Sequence, residues 1–216
     1  MLASGIVYED GWMRLRRDEI ERRDGSRGTY AFVEKADFAL VIPAENGGFH
    51  LVEEYRYPIG RRTWSFPQGG FPPGRTGSPD ELARLELAQE TGLRARRLVE
   101  LGFLHCAHGL TSQGYHLFVA TGLEPGRADR EREEQDMRQA WVPRTRFEEM
   151  ISDGVITDDS TLAAYALLLI ASAAPLASEL SRPCPLGGVW AGRLPGPAEA
   201  RTGHRGWPPG PGPPRR

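Results

Sequence analysis

Lysine, cysteine and long apolar runs are scarce in this chain. Lys35 is the only lysine among 27 positively charged residues, the rest being arginine. Codon bias accounts for such a skew. With 29 acidic residues the net charge is -2, which offers no attraction to nucleic acid or to an acidic membrane surface. Two cysteines, Cys106 and Cys184, are too few for a disulfide framework and suit a reducing, cytoplasmic setting. The most apolar run, Leu162 to Ala174, has 13 residues, short of the roughly 20 that a membrane helix needs. No basic-then-apolar leader follows Met1. What remains is 216 residues with 39% hydrophobic content, enough for one domain with a real core.

The first third reads as strands. Ile6 to Tyr8 and Trp12 to Arg22 alternate apolar and polar residues around Gly11, and Thr29 to Val33 returns after the turn signal Asp24-Gly25. Phe38 to Ile42 is continuously apolar, the pattern of a strand buried on both faces. Asn46-Gly47 closes a hairpin onto Phe49 to Tyr55. A further strand carries Trp64 and Phe66, and from Pro67 to Pro79 breakers are too dense for regular structure. Ser78, Pro79 and Glu81 then spell a capping box with proline at the first helical position, and Gly92 follows as C-cap. Strands are expected near Leu98 to Leu104, Tyr115 to Ala120 and Met137 to Val142. Helices follow near Pro143 to Ser152 and Ser160 to Ala174. Beyond residue 175 proline, glycine and arginine dominate, with six arginines against Glu179 and Glu199, so a disordered tail is expected. Three regions result: N-terminal strands over 1–35, a main domain over 36–175 and a Pro/Gly/Arg-rich tail over 176–216.

Within the capped helix Glu86 and Glu90 lie four residues apart, so both carboxylates leave one face, with Gln89 beside them. Like charges at that spacing repel, and a divalent cation is a natural partner; Mg²⁺ takes hard oxygen ligands and shares them with substrate phosphates. The plainer alternative is a solvated acidic face. Pro67-Gln68-Gly69-Gly70 just upstream favours the cation, because glycine lets backbone groups approach a metal or phosphate closely.

This arrangement resembles the Nudix hydrolases. Their box reads Gly, five residues, Glu, seven residues, then Arg-Glu-U-x-Glu-Glu-x-Gly-U, where U is apolar. Gly70, Glu86, Leu87, Glu90, Gly92 and Leu93 match it. Gly77 stands at the first Glu, Leu85 at the Arg and Gln89 at the middle Glu, and the loop is one residue longer. Leu51-Val-Glu-Glu-Tyr-Arg-Tyr-Pro58 and Trp64-Ser-Phe-Pro-Gln-Gly-Gly70 are similar to the ADP-ribose pyrophosphatase branch, which typically has Gln-Tyr-Arg-x-Pro and Trp-Glu-x-Pro-x-Gly; Ser65 stands where that Glu usually is.

The resemblance implies an α+β Nudix fold: a mixed β-sheet sandwiched between helices, with N-terminal strands. It implies a pyrophosphohydrolase that uses Mg²⁺ or Mn²⁺ to cleave the diphosphate of a nucleoside diphosphate derivative such as ADP-ribose or a nucleotide sugar. By position Glu86 and Glu90 become metal ligands and catalytic residues, joined by the Gly69 carbonyl. Gln89 replaces a third carboxylate, so fewer or weaker metal sites are expected. A general base is implied in the acidic segment before Trp141-Val-Pro143, with Glu134 first, then Glu133 and Asp136. Arg56 matches an arginine that faces substrate, its alternative being an ion pair with Glu54. Relatives of this branch pair through their N-terminal strands, which implies a homodimer. His105-Cys106-Ala107-His108 is a thin zinc motif without a second cluster. The degenerate box also leaves open a domain that binds such a ligand without turning it over, and the tail a scaffold role.

Overall fold

The computed structural model describes residues 1–128 and 136–173. Three strands, β1 (Ala3–Glu9), β2 (Arg14–Glu21) and β3 (Arg27–Glu34), form an antiparallel meander. The rest builds a seven-stranded sheet from β4 (Phe38–Glu45), β5 (Gly48–Arg56), β6 (Arg61–Ser65), β7 (Gln68–Gly69), β8 (Leu93–His105), β9 (Gly114–Pro125) and β10 (Arg138–Pro143). Its order is β10-β5-β4-β9-β8, with β6 added to β5 and β7 to β4. The β4–β9 pair is parallel and the others are antiparallel, so the sheet is mixed.

Helices α1 (Pro79–Thr91), α2 (Arg144–Ser152) and α3 (Asp159–Ala173) cover the sheet from both sides. Strand β4 explains how. Leu40 and Ile42 join Phe49, Phe66, Phe147 and Tyr165 under α2 and α3, whereas Ala39 and Val41 join Leu82, Ala83 and Leu87 of α1. Successive residues of a strand face opposite ways, so one unbroken apolar run serves two cores. Phe49, Phe66 and Phe147 pack with ring centroids 5.2–5.6 Å apart, each pair adding about 0.5–1.5 kcal/mol beyond area burial. None of the described helices is long and apolar enough to cross a membrane.

Three elements differ from the sequence expectation. The breaker-rich stretch contains β7, because Gln68 and Gly69 pair with Leu40 and Ala39 of β4. Strand β8 starts at Leu93, directly after Gly92, and not near Leu98, since Leu93 and Ala95 already pair with Pro125 and Leu123 of β9. A 3₁₀ turn at Tyr57–Ile59 precedes β6, with Gly60 in the left-handed region at φ 63°. Residues from 174 onward, including Cys184 and the expected tail, lie outside the described residues.

Candidate active site

Local chemistry fixes where α1 begins and what it carries. Ser78 Oγ accepts from the Glu81 amide at 3.2 Å, and Glu81 Oε2 accepts from the Ser78 amide at 2.8 Å. The bond from the Ser78 amide holds the Glu81 carboxyl below the usual range. Gly92 ends the helix at φ 73° and donates to the Ala88 carbonyl at 2.9 Å. Between these caps Glu86 and Glu90 are buried, 6% and 2% exposed. Burial removes the solvated-face alternative, because an ionised carboxylate is not taken from water without compensating partners.

Gly69 meets this pair from the sheet side. An ideal Cβ on Gly69 would collide with the Glu86 carboxylate, so a larger residue there would displace the end of that side chain. One residue earlier, the Gln68 amide donates to Glu90 Oε2 at 3.2 Å. The Gln68–Gly69 turn therefore touches both glutamates. The turn is itself fastened to α3: the Phe66 amide donates to Thr161 Oγ1 at 3.0 Å, and Gln68 Nε2 donates to Asp158 Oδ2 at 3.2 Å. Asp158 Oδ2 also accepts from the Thr161 amide at 2.8 Å, which makes Asp158 the cap of α3.

The turn opens onto a cleft of about 430 Å³. Cations Lys35, Arg56 and Arg75 line it together with aromatics Trp12, Phe38 and Phe71. Trp12 comes from the β1–β2 turn, whose Gly11 packs against Pro73. Arg56 forms an ion pair with Glu54 at 2.6 Å. Burial pushes the Glu54 carboxyl up; Arg56 opposes this, and Asp158 and Asp136 add to it.

The sequence candidates fall into four groups. Gly69 approaches the Glu86 carboxylate and the adjacent Gln68 amide bonds Glu90, Gln89 is partly buried on the same helix, and Arg56 lines the cleft. Asp136 is exposed and engaged: the Arg62 guanidinium pairs with its carboxylate at 2.5 Å and donates to its carbonyl at 2.9 Å, while also holding Glu53. Glu133 and Glu134 lie outside the described residues. His105 and His108 are exposed, and among the described residues no three His, Cys, Asp or Glu side chains gather as a metal cluster. Burial pushes the Cys106 thiol up, away from a reactive thiolate.

Sequence reading missed Trp12, Gln68, Arg75 and Asp158. Lys35 carried one signal, being the chain's only lysine, but its placement at the cleft depends on how β3 joins β4.

A family model described as the NUDIX domain matches residues 34–165, and one described as the nucleoside diphosphate sugar hydrolase N-terminal domain matches residues 1–33. An ADP-ribose pyrophosphatase of Mycobacterium tuberculosis is 29% identical over 195 residues, 89% of this chain and 91% of its own. Another, of Bacillus subtilis, is 26% identical over 136 residues, 62% of this chain and 72% of its own. A crystal structure of an ADP compounds hydrolase shares the fold with TM-score 0.68 and 22% identity, covering 78% of this chain and 91% of that one.

Proposed function

The chain belongs to the NUDIX domain family, and on that premise we propose that it hydrolyses the diphosphate of a nucleoside diphosphate joined to a second group, with ADP-ribose or a nucleotide sugar as substrate. The observation that carries this reading is the burial of Glu86 and Glu90 against Gly69 beside a cleft lined by cations and aromatics. Two pyrophosphatases named for ADP-ribose among its relatives point to the same substrate class.

The donor set fits a hard divalent cation. Two buried carboxylates supply anionic oxygen, and Gly69 leaves free the space where a Cβ would press on the Glu86 carboxylate. Glu86, Glu90 and the Gly69 carbonyl would hold Mg²⁺ or Mn²⁺, and the bound ion would neutralise diphosphate charge and acidify a water. The remaining work belongs to the chain's own side chains. Arg56 offers a planar guanidinium for bidentate contact with a phosphate. Lys35 and Arg75 raise the positive potential of the cleft and draw in an anionic substrate. Trp12, Phe38 and Phe71 give the base flat apolar surface. Water activation is assigned to Glu134, with Glu133 and Asp136 as alternatives. The Arg62–Asp136 pair anchors the end of that acidic segment to β6. In β1, Ile6, Val7 and Tyr8 are 50–61% exposed, which supports a homodimer formed through the N-terminal sheet. A nucleotide-derived substrate and the free Cys106 fit a cytoplasmic location.

Gln89, standing where a third carboxylate is expected, favours a second reading: a domain that binds such ligands with little turnover. One assay separates the two. The protein is incubated with Mg²⁺ and ADP-ribose, nucleotide sugars, dinucleoside polyphosphates and nucleoside triphosphates, and nucleoside monophosphate is measured. Release of AMP from ADP-ribose, abolished by chelator, is expected. No monophosphate from any compound, with ADP-ribose still bound, would establish the second reading.

A further inference from the structure

A closed ring of hydrogen bonds ties the turn that meets the two buried glutamates to the first turn of α3. The Phe66 amide donates to Thr161 Oγ1 at 3.0 Å, the Thr161 amide donates to Asp158 Oδ2 at 2.8 Å, and Gln68 Nε2 donates to the same Oδ2 at 3.2 Å. The backbone from Phe66 to Gln68 completes the ring. Strand β4 grips the middle of that backbone, since the Val41 amide donates to the Pro67 carbonyl at 2.9 Å. Helix α1 is reached through the Gln68 amide, which donates to Glu90 Oε2. Four residues, 66–69, thus connect α3, β4 and α1.

Within the ring Asp158 does more than a helix cap requires. Capping α3 needs only the bond from the Thr161 amide, and a serine or asparagine would supply it. The bond to Gln68 is additional, and it is the one hold on that carboxamide. Gln68 Oε1 is buried and has no hydrogen-bond partner among the described residues. Holding a glutamine side chain in one conformation costs rotamer entropy, which a single well-placed partner offsets. Resting on the divalent-cation reading above, we propose that Asp158 is a positioning residue for the metal site. Acting through the Gln68 carboxamide, it fixes the Gln68–Gly69 turn so that the Gln68 amide engages Glu90 and the Gly69 carbonyl meets the cation beside Glu86. Its part is geometric: the oxygen matters and the charge does not.

Three variants of the full chain separate the possible roles of Asp158. Asp158→Ser keeps a capping hydroxyl and stops short of Gln68. Asp158→Asn keeps an oxygen for both bonds and removes the charge. Gln68→Met removes the donor from the other end and leaves the backbone amide in place. Titration of Mn²⁺ followed by electron paramagnetic resonance should show affinity about three- to tenfold weaker in Asp158→Ser and in Gln68→Met, the size of one hydrogen bond. The double variant Asp158→Ser/Gln68→Met should be no weaker than either, because both changes remove the same bond. Asp158→Asn should bind as wild type does, and Asp158→Ser should melt within about 2 °C of wild type because its cap survives. In the metal-free protein the Gln68 amide should exchange with solvent about three- to tenfold faster in Asp158→Ser, read by nuclear magnetic resonance. Unchanged Mn²⁺ affinity in Asp158→Ser, additive losses in the double variant, or an Asp158→Asn as weak as Asp158→Ser would overturn the assignment. Should Asp158→Ser fail to fold, Gln68→Met and Asp158→Asn decide it. Absence of Mn²⁺ binding to wild type would instead sink the cation reading, and the Gln68 exchange rate would still show whether Asp158 holds the turn.

Discussion

The first turn of α1 carries Asp80 and Glu81, and its second half carries Glu86 and Glu90. The first pair is exposed, sits at the positive end of the helix dipole and is used up by local bonds, Glu81 in the capping box and Asp80 with Arg84 at 3.0 Å. Each of those contacts favours the helix. The second pair is buried, lies toward the negative end of the dipole and puts two like charges four residues apart. One helix thus holds acid bonded to its own neighbours in sequence and acid buried beside the sheet, where the distant Gln68 amide reaches Glu90.

Breaking the contrast at its functional end should have the largest effect. Glu90→Gln keeps the shape and an oxygen for the Gln68 amide but removes the charge. Turnover of ADP-ribose should fall by about 10²-fold or more if a metal supplies several kcal/mol of charge stabilisation. Unchanged kcat in a steady-state assay would make Glu90 a structural carboxylate.

Gly69→Ala presses on the same site from the sheet. The atoms a Cβ would meet are the far end of the Glu86 side chain, which can swing aside. Melting temperature should therefore stay near wild type while the displaced carboxylate lowers turnover by about tenfold or more. Loss of fold and activity together, read by melting and rate on one preparation, would show that Gly69 serves packing.

Ser78→Ala acts on the other end and should do the reverse. Losing the cap costs about 1 kcal/mol, or roughly 2–4 °C in Tm for a domain of this size, with turnover hardly changed. A fall in turnover as large as that of Gly69→Ala would erase the distinction between the two ends of the helix.

Local rules made the two ends unequally legible. The capping box involves only neighbours in sequence, so Ser78, Pro79, Glu81 and Gly92 announced α1 with its observed limits. The spacing of Glu86 and Glu90 put them on one face. Their burial was not readable, because it depends on β7 pairing with β4 through two residues in a stretch dense in proline and glycine. Trp12 was equally hidden. Its pattern is that of an exposed strand residue, and it reaches the cleft because the β1–β2 turn packs on Pro73. Asp158 caps α3 through a neighbour three residues on, while its bond to Gln68 spans 90 positions and leaves no local mark.

The central claim is that Glu86 and Glu90 hold a divalent cation and that Gln89 stands where a third carboxylate would strengthen it. Titration of Mn²⁺ followed by electron paramagnetic resonance measures this without relying on turnover. Wild type should bind, Gln89→Glu should bind more tightly by about tenfold from one added charge near the ion, and the double variant Glu86→Gln/Glu90→Gln should lose the site. Equal Mn²⁺ affinity in the three proteins would contradict the account.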